Sequence, residues 1–206
     1  TALIPDNLDY KVDLASVLNK AERGFEAQQL LDQLLKENPE ARNARILREL
    51  GKAWMSRDPV KSRTYLTDSL TLEAHPEAFI LMAQLFMTRG RLEEAIRMFD
   101  TALSQFPDDA GVLSHYAALL SDLGRHDAAV GFYERLLKTA PSDSIILEKL
   151  GDTYEELNRA QNAVEAYQRA EKTHPEPEKL LMKLAQLQLH ELHRLQDANP
   201  LFQVLY

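Results

Sequence analysis

The residues best suited to metal chemistry form a short histidine cluster near the carboxyl end of the sequence. His190 and His193 flank a glutamate and a leucine, and a zinc-protease helix also combines two histidines with a glutamate. In that motif the histidines are four residues apart, which lets both reach one zinc ion. Here they are three apart, and no third ligand is evident. We therefore interpret the cluster as a solvated helix face and expect neither a metal site nor a cofactor.

No other arrangement of residues predicts catalysis. The seven glycines are scattered and do not form the glycine-rich phosphate loop of nucleotide-binding enzymes. Ser114 and Ser121 lack the flanking glycines of a nucleophile elbow. The absence of cysteine excludes a thiol nucleophile, a disulfide and a thiolate metal site. We therefore expect no enzymatic activity.

Net charge and hydropathy narrow the classes of partner. A formal net charge of −8 argues against nucleic acids, because their binding rests on lysine and arginine neutralising phosphates. It argues equally against anionic lipid surfaces, and no apolar run approaches the length of a membrane span. Because the sequence opens at Thr1 without an apolar signal core, we expect an excised segment or a mature form. Its location stays open between cytoplasm and periplasm.

The elements that must position any site recur every 34 residues. Three prolines, three alanines and three aromatics share this interval: Pro107, Pro141, Pro175, Ala95, Ala129, Ala163, Phe99, Tyr133 and Tyr167. Within each period, apolar residues at helical spacing predict a first helix, and a second stripe predicts another. A period of this size indicates one helical hairpin stacked on copies of itself, an arrangement that forms extended binding surfaces.

This pattern resembles the tetratricopeptide repeat (TPR), a helix–turn–helix with small residues at its eighth and twentieth positions, an aromatic at the twenty-fourth and a closing proline. In the best-matching repeat these are Gly151, Ala163, Tyr167 and Pro175. The resemblance implies an all-α, right-handed α-solenoid that forms a single domain over residues 1–206. The expected parts are repeats at 8–41, 44–75, 76–109, 110–143 and 144–177, and a capping helix with a tail at 178–206.

The predicted repeats become irregular toward both ends of the chain. In the first repeat, Gly24 carries the predicted turn slightly out of register. In the second, Ser62 and Leu66 fit the pattern only if the turn is one residue shorter, and Pro59 is expected to open the second helix. The apolar tail at 201–206 is expected either to dock on the solenoid or to be the stub of a truncated repeat.

The resemblance also implies a concave groove lined by the first helix of each repeat, with ligand contacts at fixed repeat positions. The predicted groove residues are Arg45, Arg48, Lys52 and Met55 in the second repeat, Ile80, Leu81, Gln84 and Met87 in the third, Ser114, His115, Ala118 and Asp122 in the fourth, and Glu148, Asp152, Glu155 and Glu156 in the fifth. This order predicts a groove that runs from basic through apolar to acidic. Its charges would orient a bound segment, and the apolar side chains of Ile80, Leu81, Met87 and Ala118 would anchor it.

These features predict a non-enzymatic protein–protein interaction scaffold that binds a peptide segment or a partner domain in its groove. Two alternatives stay open. The chain could assemble with copies of itself through its ends or its tail, as a homo-oligomer. It could also be the regulatory or targeting segment of a larger enzyme or secretion machine. The identity of the protein partner does not follow from the sequence.

Overall fold

Eleven α-helices make up the part of the chain that the structure describes, residues 8–173 and 177–190 of a computed structural model. The helices are α1 (Leu8–Lys20), α2 (Gly24–Glu37), α3 (Ala44–Trp54), α4 (Pro59–Leu72), α5 (Pro76–Met87), α6 (Leu92–Gln105), α7 (Ala110–Asp122), α8 (His126–Thr139), α9 (Ser144–Glu156), α10 (Ala160–Glu171) and α11 (Pro177–His190). Within these residues there is no β-strand, and no helix is both long and apolar enough to cross a membrane. The predicted all-α class is confirmed.

The chain divides into two compact units, Thr1–Pro107 and Asp108–Tyr206. Unit 1 contains the packed pairs α1/α2, α3/α4 and α5/α6, and unit 2 contains α7/α8 and α9/α10, followed by α11. Each pair lies within one of the five expected repeats, whereas the grouping of all repeats into a single domain stays a prediction. Pro175, His193 and the tail at 201–206 lie outside the described residues.

The turns inside the hairpins use residues that tolerate a left-handed backbone. Gly90 and Gly124 have φ angles of +67° and +71°, a region that costs glycine nothing, and Asn158 has a φ of +55°. The prediction that Gly24 carries the turn of the first repeat is wrong. Glu22 takes the left-handed conformation with a φ of +59°, and Gly24 is the first residue of α2. A Cβ at Gly24 would lie 3.0 Å from a backbone oxygen of α3, so close helix packing explains this glycine.

In the second repeat, Ser62 and Leu66 follow Gly51 one residue earlier than their counterparts in the regular repeats, and they pack against it as the sequence predicts. The Ser62 hydroxyl donates a hydrogen bond of 2.6 Å to the carbonyl oxygen of Gly51, which joins α4 to α3 in the buried interior. Leu66 lies directly against Gly51, in the place that an aromatic ring occupies in the regular repeats. Pro59 opens α4 as expected, and the Asp58 carboxylate caps the helix by accepting from two backbone N–H groups.

Small and aromatic residues at the 34-residue interval form the core of the regular hairpins. The fully or nearly fully buried set consists of Ala95, Ala129, Ala163, Phe99, Tyr133 and Tyr167. An alanine on the second helix allows the first helix to come close, and the ring one turn later fills the space beside it. Trp54, Phe86 and Tyr154, by contrast, remain half-buried and border the surface.

Candidate functional site

The predicted basic end of the groove is neutralised by acidic residues on neighbouring first helices. Arg45 forms an ion pair with Asp13 of α1. Arg48 and Lys52 share Glu77 of α5, with nitrogen–oxygen distances of 2.9 Å and 3.3 Å. Arg48 is itself only 8% exposed. The three cations therefore join successive repeats, and the prediction that they also bind a ligand stays a prediction.

Replacing Glu77 with glutamine is expected to make the free energy of unfolding less dependent on pH in the acidic range. Burial alone would raise the pKa of Glu77, but the charges of Lys52 and Arg48 and their hydrogen bonds outweigh it and lower the pKa below the ordinary value of 4.5. A carboxylate with a lowered pKa contributes stability that is fully present above its ordinary pKa and lost as pH falls through the folded value. Because the Glu77 side chain is partly exposed, we expect a contribution of about 1 kcal/mol at neutral pH.

Urea denaturation of Glu77→Gln and the parent chain, from neutral pH to about pH 3, checks this expectation. The parent chain should lose its advantage over Glu77→Gln below pH 4.5. Glu40→Gln, which changes an exposed carboxylate without an ion pair in the described residues, is the matched control and should follow the parent. If the free energies of unfolding of Glu77→Gln and the parent fell equally as pH is lowered, the shared ion pair would contribute nothing to stability.

The predicted apolar centre of the groove is largely internal. Ile80 and Leu81 are 8% and 5% exposed, and Leu81 packs in a cluster with Leu66 and Met82. These two side chains hold α5 in the core, and their role as ligand anchors stays a prediction. Met87 and Gln84 stay half-exposed on the same helix.

The predicted acidic residues Glu148, Asp152 and Glu155 form a stripe along α9. This stripe contacts α10 and α11, the last two described helices. Lys183 of α11 lies 2.8 Å from Glu148 and 2.6 Å from Asp152. The Tyr167 hydroxyl of α10 lies within hydrogen-bond reach of both Asp152 and Glu155 and can donate its one proton to either. A single lysine that sequence reasoning missed thus pairs with two of these carboxylates, and Glu156 keeps an exposed carboxylate beside them.

The titration of two groups reflects this network. Burial raises the pKa of the Tyr167 hydroxyl, and its hydrogen bonds to Asp152 and Glu155 raise it further. Burial alone would lower the pKa of Lys183, but its hydrogen bonds to Asp152 and Glu148 outweigh burial and raise it. Both groups therefore keep their protons near neutral pH.

The C-terminal ends of three successive first helices enclose a cleft of about 630 Å³ in unit 1. We name it the first-helix cleft; it is lined by Asn19, Glu22, Gly24, Lys52, Ala53, Met55, Ser56, Pro59, Thr88 and Arg89. Asn19 is held in place because its side-chain amide donates to the carbonyl and the carboxylate of Glu49, at 3.0 Å and 2.8 Å. Two predicted groove residues, Lys52 and Met55, come together here, and the exposed Arg89 was not predicted.

A second cleft of about 420 Å³ lies at the matching position in unit 2. We name it the acidic cleft; it is lined by Ser121, Asp122, Gly124, His126, Asp152 and Glu156. Burial raises the pKa of Tyr133 to about 12, and the nearby charges of Asp122 and Asp152 act in the same direction. Three predicted residues, Asp122, Asp152 and Glu156, meet here, while His126 was not predicted.

The remaining predicted residues lie along α7 between the ends of that helix. His115 is exposed, with its Nδ1 atom 2.8 Å from the carbonyl oxygen of Gly111. Ser114 and Ala118 are half-buried on the same helix. None of these three lines either cleft, so the structure brings together the predicted residues at helix ends rather than those at helix centres.

Two models of the tetratricopeptide repeat match the sequence, one over residues 86–151 and the other over residues 148–206. With the hairpins described above, these matches show that the chain belongs to the tetratricopeptide repeat family. Membership supports a general role in protein–protein interaction. A search of curated proteins finds no sequence match to the chain.

Solved structures of helical repeat proteins are similar to the chain. MamA of Desulfovibrio magneticus RS-1, from residue 41 to its end, is 22% identical with a TM-score of 0.67, over 79% of this chain and 92% of that one. The C-terminal part of a TPR repeat-containing protein from Cytophaga hutchinsonii is 13% identical with a TM-score of 0.76, over 94% and 77% of the two chains. A further MamA structure is 20% identical with a TM-score of 0.63, over 80% and 96%. At these identities the likeness shows the helical solenoid fold alone.

Proposed function

We propose that the chain is a scaffold that binds an extended segment of a partner protein, and that the first-helix cleft of unit 1 is its principal contact. One observation carries the proposal: the cleft draws its lining from the same end of α1, α3 and α5, so three successive repeats contribute to one concavity. Stacked helical repeats use their surfaces for binding in this way, and concave sites of this size are where ligands bind.

The lining of the first-helix cleft suits a peptide better than a small metabolite. Met55 is half-exposed and offers a flexible thioether that adapts to apolar side chains of different shape. The hydroxyl groups of Ser56 and Thr88 lie on the same surface and can accept hydrogen bonds from a ligand backbone. Glu22 and Arg89 place opposite charges on the cleft, which favours one direction of a bound chain.

The acidic cleft of unit 2 supports the same function, but its charges favour a basic segment of the partner. Asp122 and Glu156 are exposed there, and within the described residues neither has an ion pair. A lysine or arginine of a bound segment would complement these carboxylates, mainly by steering its approach. The charges of the predicted groove thus act at the helix ends, because those at the helix centres are paired internally.

Filling the first-helix cleft with Ser56→Trp is expected to weaken peptide binding by about tenfold or more, since an indole would occupy the space that a ligand needs. Ser56 is exposed, so the substitution should leave the fold intact. Peptides selected from a random displayed library against the parent chain serve as probes, and their affinities are measured by fluorescence anisotropy. Thr67→Trp, at an exposed position of α4 outside the cleft, is the matched control. Equal affinities of both variants for every selected peptide would overturn the proposal.

A further inference from the structure

A second concavity of unit 1 lies where the start of α4 meets the end of α5 and the turn that follows α5. It encloses about 120 Å³, and its apolar lining comes from Pro59, Val60, Leu85 and Phe86. Val60 is 62% exposed, among the most exposed large apolar side chains of the described residues. Water therefore contacts an apolar surface here, and a partner side chain that covered it would gain free energy by removing that surface from water.

Three guanidinium groups line the same concavity, which we name the arginine cleft. Arg63 and Arg89 have no carboxylate partner among the described residues. Arg91 is paired with Glu94 at 2.6 Å, and its guanidinium lies 4.9 Å from the centre of the Phe86 ring. Two unneutralised cations thus flank an apolar floor on a chain whose net charge is −8. These two arginines differ in this respect from the cations on the first helices, which are paired with carboxylates.

The cationic surface extends beyond the arginine cleft, around the start of α4. Lys61, which follows Val60 in α4, lies with its Nζ atom 4.3 Å from the centre of the Trp54 ring. Arg57 lies between two rings, 4.9 Å from the centre of Trp54 and 4.7 Å from that of Phe25. Neither cation forms an ion pair within the described part of the chain. The surface around the start of α4 therefore alternates aromatic rings with positively charged side chains that have no ion-pair partner among the described residues.

We propose that the arginine cleft docks an acidic segment of a partner protein and takes one aliphatic side chain of that segment against Val60 and Phe86. Guanidinium groups match carboxylates by paired hydrogen bonds, so Arg63 and Arg89 would hold acidic residues on either side of the anchor. The apolar anchor supplies most of the affinity, and the charges supply orientation and a fast approach. Charge complementarity selects this occupant over a basic or uncharged segment.

The arginine cleft is separable from the first-helix cleft of the proposed function. Pro59 and Arg89 line both concavities, whereas Val60 and Arg63 line the arginine cleft alone. The discriminating variant is therefore Val60→Asp with Arg63→Glu. An aspartate near the N-terminus of α4 suits the helix dipole, so the double variant is expected to fold, which its circular dichroism melt checks.

The probe is a fluorescein-labelled peptide of aspartate and glutamate with one central leucine, titrated by anisotropy at low salt. We expect the double variant to bind it at least about tenfold more weakly than the parent chain. The matched control, Val17→Asp with Lys36→Glu, makes the same charge change at exposed sites of α1 and α2 and should stay within about twofold. Replacing the central leucine with serine should also weaken binding to the parent.

Four results would overturn the proposal. The parent chain could fail to bind the acidic probe, or bind a lysine-rich peptide equally well. The control variant could lose as much affinity as the Val60→Asp, Arg63→Glu variant, which would assign binding to net charge alone. Sedimentation could show that the parent self-associates and that only the double variant is monomeric, which would make the cleft an interface between copies. The library peptides tested with Ser56→Trp report on the first-helix cleft separately.

Discussion

Replacing Gly151 with alanine is expected to lower the free energy of unfolding by about 2 kcal/mol. A Cβ at this position would lie 2.4 Å from Cε1 and 2.6 Å from Cδ1 of Tyr167. That ring is fully buried and its hydroxyl is held by carboxylates of α9, so it has little room to move. Overpacking of this kind costs about 3 kcal/mol at the upper end of its usual range. The better helix propensity of alanine offsets only about 1 kcal/mol.

Gly131→Ala is the matched control, because Gly131 is also inside a helix but no atom lies within 4 Å of where its Cβ would be. There only the propensity difference acts, and stability should rise by about 0.5–1 kcal/mol. Urea denaturation followed by circular dichroism measures both variants. Changes of the same sign at the two glycines would contradict the close approach of α9 to α10.

Replacing Ala129 with leucine is expected to destabilise the chain by about 3 kcal/mol. Ala129 is fully buried on α8, at the repeat position where a small side chain allows the two helices of a hairpin to pack closely. The additional carbon atoms cannot reach solvent, so they must displace a neighbouring helix or adopt a strained rotamer. The loss of packing outweighs the small gain in helix propensity.

The neighbouring residue provides the control for this prediction. Ala128 lies on the same helix turn but is exposed, and Ala128→Leu should change stability by no more than about 0.5 kcal/mol. Thermal and urea unfolding of the two variants separate burial from residue type, since the substitution is identical. Similar losses at both positions would show that the 34-residue alanine interval does not mark the packed face.

Local patterns predicted the helices well, because apolar spacing and turn residues act within one hairpin. Gly90 and Gly124 adopt left-handed backbones in the turns of their hairpins, which glycine does without strain. Gly24 shows the limit of this reasoning, because a glycine can serve a turn or a close contact and its position alone does not separate the two. At Gly24 the contact with α3 decides, and the turn falls on Glu22 instead.

The charges of the candidate site were predicted only in part, because their partners lie in another repeat. Helical spacing correctly placed Arg48 with Lys52, and Glu148 with Asp152, on shared stripes. Their partners, Glu77 and Lys183, follow Arg48 and Glu148 by 29 and 35 residues. A separation close to the repeat length is the signal that could have found them, since equivalent positions of successive first helices lie side by side.

The binding role of the first-helix cleft is tested most directly by amide hydrogen exchange on the chain with and without a library-selected peptide. The proposed function predicts slower exchange at the ends of α1, α3 and α5, around Asn19, Met55 and Thr88, and no such slowing in Ser56→Trp at the same peptide concentration. Protection at α2, α4 and α6 away from the starts of these helices, with none at the ends of α1, α3 and α5, would contradict it, as would unchanged protection in Ser56→Trp.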